Sequence, residues 1–245
     1  MKNIKVSAVR VAQIEIESLW GKKHILWDVN PDINILAGVN GIGKSSILNR
    51  LANELHYLIK KYECERDGRT SDAEREELEN LHVPGVHIRF EPDAPCMPLD
   101  YLRIGDNGQH LSRLLNQFAY STDYRETFYD VADELFGVTE KTVVREGNEI
   151  LFRQYGDTLS VDSLSSGEKQ MLIILLTVLS QQNQPAVLIM DEPEISLHIE
   201  WQQKLIATVR RLNPNAQLFL TTHSPAIIMD GWMDKVTEVT DITVK

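Results

Sequence analysis

Cysteine is nearly absent from this sequence, which contains only Cys64 and Cys96. The two residues lie far apart and form no C-x-x-C pair, so the sequence predicts neither a disulfide framework nor a cysteine-based zinc site. Two unpaired thiols are typical of proteins in a reducing compartment. We therefore expect a fold whose stability comes from its hydrophobic core and needs no covalent cross-links.

Long hydrophobic runs are also absent. The longest, Met171 to Leu176, is far shorter than the roughly 18 residues that a membrane span needs. The N-terminal residues "MKNIKVSAVRVAQIEIE" alternate apolar with charged side chains and lack the continuous apolar stretch of a signal peptide. We expect a cytoplasmic protein without a membrane partner.

Basic residues are scarce in the middle of the chain. The formal net charge is −11, and acidic residues outnumber basic ones most strongly between positions 51 and 150. A surface of this sign repels the phosphates of nucleic acid. The charge therefore does not favour autonomous nucleic-acid binding, which would need a local basic patch or a partner protein.

The chain has ample apolar residues, 42% of its 245 positions, which suits one domain with a large core. "VAQIEIESLW" alternates in the manner of a half-exposed antiparallel strand. "INILAG", "AVLIMDEP" and "QLFLTTHSP" are continuous apolar runs, typical of strands buried on both faces. Apolar residues recur at helical spacing from Lys44 to Tyr62, over 109–137 with a break near Ser121, and over 199–212. Together with the strands, these predicted helices give an α/β pattern with an inserted helical region. The alternating runs of "TVVREGNEILFRQ" also predict a hairpin.

Residues 63–82 form a separate segment of unusual composition. They hold 8 acidic and 3 basic residues with almost no apolar side chain to bury. We interpret the segment as an exposed, charged insertion that is helical or partly disordered, and an interaction tail is the alternative.

The segment from Gly38 to Ser45 fits the pattern G-x-x-x-x-G-K-[ST] and lies between a predicted strand and a predicted helix, which is the context of a phosphate-binding loop. In such a loop backbone N–H groups surround a polyphosphate, Lys44 reaches the β and γ oxygens, and the Ser45 hydroxyl ligates Mg²⁺. A glycine-rich turn beside a surface lysine is the alternative. The predicted phosphate-binding residues are Gly38, Asn40, Gly41, Gly43, Lys44, Ser45 and Ser46.

Two carboxylates follow the apolar strand "VLIM", at the sheet edge where the phosphate loop is expected. We predict that Asp191 holds Mg²⁺ through a water molecule, and that Glu192 is the general base that orients and deprotonates an attacking water. The alternative is a pair of surface acids before a turn. His223 ends another buried strand, and we predict that it donates a hydrogen bond to a γ-phosphate, against a purely structural role.

The segment "DSLSSGEKQMLIILL" begins an apolar helix with two serines and a glycine. Ser165 and Glu168 have the S-x-x-E spacing of a capping box. Capping does not explain Ser166 or Gly167, and small residues at a helix N-terminus favour close approach to a phosphate.

In this order, "GVNGIGKSS", "LSSGEKQ", "LIMDEPEISLH" and "LTTHSP" resemble the motifs of the ATP-binding cassette (ABC) ATPases. The details are most similar to the soluble branch that includes RecF, the SMC proteins and short bacterial ATPases of repair and defence loci. The resemblance covers about residues 8–230. It implies an α/β P-loop NTPase fold, an ABC-type head with a mixed or parallel central sheet and N-terminal antiparallel strands. It further implies one domain over 1–245, with a core of about 1–106 and 181–245 and an inserted lobe of about 107–180.

The same resemblance implies ATP and Mg²⁺ as ligands and a homodimer that closes on two ATP molecules, or a partner effector protein. The signature residues, which would act on the ATP of the other copy, are Ser165, Ser166, Gly167 and Glu168. Ser196, Leu197 and His198 resemble the D-loop, although transporter subunits of the family usually have aspartate where this chain has His198. Trp20 resembles the aromatic residue that stacks on adenine, with Trp27 as a competitor and core packing as the alternative. For the family's Q-loop glutamine we take Gln109, with Gln117 as the other candidate.

The resemblance implies a soluble ATPase that drives or gates a partner in DNA repair or in defence against phage and mobile elements. An ATPase subunit of a membrane transporter is one alternative. Four features resemble the soluble branch more than a transporter subunit: Glu-Lys-Gln after the signature glycine, Glu194, His198 and "THSP". A nucleotide-gated binding module with little hydrolysis is the other alternative, and the presence of Glu192 and His223 argues against it.

Overall fold

The computed structural model of the protein describes residues 10–67, 71–92, 100–104, 108–120 and 124–244. The strands within these ranges form three sheets. Two of them belong to the region that surrounds the phosphate loop, and the third is a small sheet in the inserted region.

The first sheet is antiparallel and has the strand order β12-β2-β1-β4. Its strands are β1 (Arg10–Leu19), β2 (Lys23–Asp28), β4 (Val86–Glu91) and β12 (Thr243–Val244). The strand β1 buries Val11, Ile14, Ile16 and Leu19 on one side, as its alternating sequence predicted.

The second sheet is parallel and has the order β11-β3-β10-β9-β5. Its strands are β3 (Ile33–Ala37), β5 (Asp100–Ile104), β9 (Ala186–Asp191), β10 (Ala216–Thr221) and β11 (Val236–Glu238). The nearly continuous burial of β9 and β10 confirms the interpretation of their apolar runs. Because all five strands run in one direction, their carboxyl ends meet at one edge.

Helix α1 (Lys44–Asp67) follows β3 and packs between the two sheets. Its residues Ile47 and Leu51 share a buried cluster with the antiparallel strands and with Val187 and Phe219 of the parallel sheet. The other face of the parallel sheet packs against the helical region in a second cluster. The parallel sheet is therefore covered on both faces, and its carboxyl edge supports the site.

The described parts of the charged segment 63–82 are largely helical, as one interpretation predicted. Its first residues extend α1 to Asp67, and helix α2 (Asp72–Leu81) begins with a capping box between Ser71 and Glu74. Residues 68–70 lie outside the described residues. Cys64 is a buried free thiol on this extension of α1. Cys96 lies outside the described residues.

The inserted region combines helices with a small antiparallel sheet of order β6-β7-β8. Its elements are α3 (Gly108–Tyr120), α4 (Arg125–Phe136), β6 (Thr142–Val143), β7 (Leu151–Gln154), β8 (Asp157–Ser160) and α5 (Ser166–Leu179). Helix α3 ends at Tyr120 and α4 begins at Arg125, and the predicted break near Ser121 lies outside the described residues. Strand β6 pairs with β7 as the predicted hairpin.

Two further helices, α6 (Ile199–Leu212) and α7 (Pro225–Met229), follow β9 and β10. Single turns of 3₁₀ helix occupy Gly137–Thr139, Val161–Ser163 and Met233–Lys235. Among the residues that the structure describes, every helix is too short or too polar to cross a membrane.

Candidate active site

The phosphate loop connects β3 to α1 at the carboxyl edge of the parallel sheet. Gly43 has φ = +121°, which disfavours any residue with a side chain, and a Cβ added there would lie 2.9 Å from Cδ2 of Leu19. The Lys44 Nζ turns back and donates a hydrogen bond over 2.8 Å to the carbonyl of Gly38. The loop is thus a tight backbone curve whose lysine is buried at its centre.

A pocket of about 310 Å³ lies in front of this loop. It is lined by Trp20, Asn40, Gly41, Gly43, Lys44, Ser45, Ser46, Glu192 and His223. These residues come from four separate segments of the chain, and each was predicted to belong to a nucleotide site. Gly38 does not line the pocket, and it supports Lys44 through its carbonyl.

Asp191 is the centre of a cluster of oxygen atoms beside the pocket. Its Oδ1 accepts hydrogen bonds from the Ser45 hydroxyl at 2.9 Å and from the Thr221 hydroxyl at 2.6 Å. Carboxylate and hydroxyl oxygens are the donors that Mg²⁺ prefers, so the residues present fit a magnesium ion. The sequence did not reveal the role of Thr221. Its only signal was a hydroxyl at the end of a buried strand, where the register pairs it with Asp191.

Glu192 has a left-handed backbone with φ = +48°, uncommon for a residue with a side chain. Its N–H donates to the Thr221 hydroxyl at 3.0 Å and to the Thr221 carbonyl at 3.2 Å, which holds this conformation. Its carboxylate Oε1 lies 3.4 Å from Nε2 of His223. The two predicted catalytic groups of the strand ends therefore meet at the pocket.

Trp20 and Trp27 have different environments. The indole of Trp20 is 48% exposed, forms a wall of the pocket and has the Lys23 Nζ 5.5 Å from its ring centroid. Trp27 is 1% exposed and packs edge-on against Phe219 in the core. The structure therefore places Trp20 beside the phosphate loop and assigns the core-packing role to Trp27.

The signature segment forms the N-terminus of α5. Ser165 and Glu168 form the predicted capping box, with hydrogen bonds of 2.9 and 3.3 Å between side chains and backbone. Ser165 and Ser166 are exposed, and neither is among the residues that line the pocket of the same chain. Gly167 is buried against the loop before α6, where an added Cβ would lie 2.0 Å from the carbonyl oxygen of Ser196.

Glu168 does not face outward with the two serines. It is 4% exposed, and its Oε1 accepts hydrogen bonds at 2.8 Å from Lys141 and from Thr139. Burial raises the pKa of Glu168, but the bonds from Lys141, Ser165 and Thr139 outweigh that effect and hold the pKa below its ordinary value. Glu168 thus supports the signature segment from inside the lobe, so its predicted contact with another copy's nucleotide does not fit this geometry.

The predicted D-loop lies between β9 and α6. Leu197 is buried, whereas Ser196 and His198 are exposed. The ring of His198 accepts a hydrogen bond from the N–H of Glu200 at 3.4 Å and caps α6. His198 therefore serves as the N-cap of α6.

The two candidate Q-loop residues both fall in α3. Gln109 is in its first turn, and its side chain lies outside the described residues. Gln117 is exposed in the middle of the helix and is not at the end of a strand. Gln117 is not among the residues that line the pocket.

The fold and the site can be compared with known proteins. A family model described as "AAA domain, putative AbiEii toxin, Type IV TA system" matches residues 50–230, which begin just after the phosphate loop. The chain is 19% identical over 287 residues to the Septu protein PtuA of Bacillus thuringiensis, covering 89% of this chain and 72% of that protein. It is also 29% identical over 100 residues to the retron Vc95 probable ATPase of Vibrio cholerae serotype O1 biovar El Tor, covering 36% of this chain and only 18% of that protein.

Among solved structures, the SMC head domain from Thermotoga maritima matches with a TM-score of 0.56 and 14% identity, covering 94% of each chain. At this identity the likeness shows the fold alone. The predicted fold class, an α/β P-loop NTPase with a head like that of the SMC proteins, is therefore confirmed.

Proposed function

We propose that this chain, which belongs to the AAA-domain family that it matches over residues 50–230, binds ATP with Mg²⁺ and hydrolyses it to ADP and phosphate. The observation that carries the proposal is the convergence of Lys44, Glu192 and His223 on one pocket at the carboxyl edge of a parallel sheet. Ligands of α/β proteins bind at this edge because loops and helix N-termini meet there.

Binding of ATP would use the phosphate loop and the first turn of α1. The backbone N–H groups of the loop and the positive end of the α1 dipole face the phosphates, and Lys44 contributes a full positive charge. Ser45 and Asp191 would hold Mg²⁺, which offsets the charge of the phosphate oxygens when it is bound. Trp20 offers the exposed face of its ring to the adenine.

Hydrolysis would use the two side chains that meet at 3.4 Å across the pocket. Glu192 accepts a proton from a water whose oxygen attacks the γ-phosphorus, while the bond from that phosphorus to the bridging oxygen of ADP breaks. His223 donates a hydrogen bond to a γ-phosphate oxygen and orients Glu192. General-base catalysis of this kind contributes roughly 10²- to 10⁴-fold to the rate.

A second copy of the chain would complete the site. Ser165 and Ser166 are exposed at the N-terminus of α5, outside the pocket of their own chain. That terminus carries positive potential and small side chains, which suits a phosphate brought by another molecule. We propose that two heads close on two ATP molecules, and that closure drives or gates a partner protein. The family description and the relatives named for Septu and for a retron support a role in a bacterial defence system.

Steady-state phosphate release tests the proposed activity. The native protein should release phosphate in the presence of ATP and Mg²⁺, and Glu192→Gln should bind ATP but release phosphate at least about 100-fold more slowly. Glu149→Gln, which alters an exposed acid in the lobe, is the matched control and should keep the native rate. Equal rates in the native protein and Glu192→Gln would contradict the proposal and favour a binding module.

A further inference from the structure

Glu194 follows Glu192 by two positions, but its carboxylate contacts the loop after β10. Its Oε1 accepts a hydrogen bond from the Thr222 hydroxyl at 2.7 Å and another from the N–H of His223 at 2.6 Å. Hydrogen bonds to a carboxylate are shorter and stronger than those between neutral groups. One acidic side chain therefore holds the backbone that carries the histidine of the pocket.

Gln202, on the first turns of α6, connects the same loop to the D-loop. Its Oε1 accepts a hydrogen bond from the Ser224 hydroxyl at 2.6 Å, and its Nε2 donates to the carbonyl of Leu197 at 2.9 Å. Ser224 in turn donates its N–H to the Thr222 hydroxyl at 3.0 Å. The loop after β10 and the D-loop are thus fixed to each other through one amide side chain.

The D-loop end of this network reaches the signature segment. The carbonyl of Ser196 lies against Gly167, so close that the glycine accommodates no Cβ. Ser196 adjoins Leu197, whose carbonyl is held by Gln202. A continuous path of short contacts therefore leads from His223 at the pocket to the tip of α5.

We propose that Glu194 and Gln202 are positioning residues that fix His223 at the pocket and couple its loop to the D-loop and the signature tip. This inference rests on the proposed ATPase function. Glu194 uses only its Oε1 for the two bonds, and its buried Oε2 has no partner among the described residues. A neutral side chain with an acceptor oxygen at the Oε1 position could therefore make both hydrogen bonds.

The paired variants Glu194→Ala and Glu194→Gln test whether Glu194 positions His223 at the pocket. Loss of the acceptor in Glu194→Ala should lower kcat by about 10- to 100-fold, because small displacements of a positioned group have effects of this size. The KM for ATP should change by less than about twofold, since the phosphate loop is untouched. Glu194→Gln keeps an oxygen at the Oε1 position and should restore most of kcat.

Two results would overturn this role. One is a native kcat in Glu194→Ala measured well below its thermal midpoint, which would make Glu194 a purely structural residue. The other is a Glu194→Gln variant as slow as Glu194→Ala, which would make the charge the important property. If Glu194→Ala does not fold, Thr222→Val and Thr222→Ser remove and keep the hydroxyl that bonds the same oxygen. The valine variant should then be slow and the serine variant close to native.

Gln202→Met tests the coupling, because it keeps the length of the side chain and removes both hydrogen-bonding groups. Gln203→Met changes the exposed neighbour on the same helix and is the matched control. We expect Gln202→Met to lower kcat at least about fivefold, and its effect should be smaller when Glu194→Ala is already present, because residues of one network are not additive. Additive effects, or equal rates for the two glutamine variants, would overturn the coupling.

These results are separable from a failure of the proposed function. If the native protein does not hydrolyse ATP, the ATPase proposal fails and the positioning roles fail with it. If the native protein hydrolyses ATP and Glu192→Gln does not, unchanged rates in the Glu194 and Gln202 variants refute the positioning roles alone.

Discussion

The hydroxyl of Ser45 donates a hydrogen bond over 2.9 Å to Oδ1 of Asp191, across 146 positions of the sequence. Ser45 lies in the first turn of the helix after the phosphate loop, and Asp191 ends a buried strand of the parallel sheet. The two meet because the parallel strands place the loop after β3 and the end of β9 at one edge. This hydrogen bond supports the proposed position for Mg²⁺ at Ser45 and Asp191.

Asp191→Asn should weaken the use of Mg²⁺ without removing the phosphate loop. The amide keeps an oxygen that accepts the Ser45 hydrogen bond, but it removes the negative charge beside the cation. We expect the Mg²⁺ concentration for half-maximal phosphate release to rise by about 10-fold or more. Asp230→Asn, at an exposed position after α7, should leave the Mg²⁺ dependence unchanged, and the same dependence in both variants would refute the assignment.

Trp20→Ala should reduce the affinity for ATP. Stacking of a base on an aromatic side chain contributes about 1–3 kcal/mol, so the Kd of ATP should rise by about 10-fold. Trp20→Tyr keeps an aromatic face and should stay close to native. Tyr155→Ala removes an exposed ring that does not line the pocket, and it should have no effect. A Trp20→Ala protein that binds ATP with native affinity would show that the ring is not part of the site.

Gly167→Ala should disturb the contact between the signature tip and the D-loop. The new Cβ would lie 2.0 Å from a backbone carbonyl, so one of the two segments must move. We expect lower stability, by about 1–3 kcal/mol as for other overpacked sites, together with slower phosphate release. Gly137→Ala is the control in the same lobe, since a Cβ there meets nothing within 4 Å. If both variants unfold at the same denaturant concentration, the close contact between Gly167 and the Ser196 carbonyl does not determine the stability.

Lys141→Met should destabilise the lobe because it leaves the buried Glu168 carboxylate without its cation. Removal of one partner of a buried pair costs about 3–5 kcal/mol, whereas Lys204→Met, which breaks an exposed pair with Glu134, should cost about 1 kcal/mol or less. Urea unfolding of both variants measures the difference.

The pH dependence of this stability has a definite sign. The pKa of Glu168 in the folded protein is lowered from 4.5, so the stabilisation is fully present above about pH 4.5 and is lost as the pH falls through the folded-state pKa. The gap in unfolding free energy between native protein and Lys141→Met should therefore shrink on acidification below that value. If the difference in unfolding free energy stays constant with pH, the ion pair between Lys141 and Glu168 does not cause it.

Much of the fold could be predicted, because buried parallel strands are continuous apolar runs and need no knowledge of their neighbours. The edges of the sheets could not. Strand β12 has two residues, and only its pairing with β2 from the far end of the chain makes it a strand. The hairpin between β7 and β8 was not predicted. Its two-residue turn consists of Tyr155 and Gly156, which both have positive φ, and the glycine was its local signal in the sequence.

The residues of the site also divide into those that a local motif predicts and those whose role depends on distant parts of the chain. Lys44, Asp191 and Glu192 are recognisable because their motifs are local in sequence. Thr221 acquires its role only from the register that pairs it with Asp191. Glu168 could be recognised as a helix cap, but Lys141 reaches it from 27 positions away, so its withdrawal into the lobe depends on tertiary packing.

The most direct test of a site shared between two copies is phosphate release by an equimolar mixture of Lys44→Met and Ser166→Arg. Each variant alone should be inactive, since one lacks the phosphate-loop lysine and the other has a blocked signature tip. In a mixed dimer the phosphate loop of Ser166→Arg meets the intact tip of Lys44→Met. The mixture should therefore recover about a quarter of the native rate, because about half of randomly assorted dimers are mixed and each has one complete site. A mixture as inactive as its components, or a native rate in Ser166→Arg alone, would contradict the account.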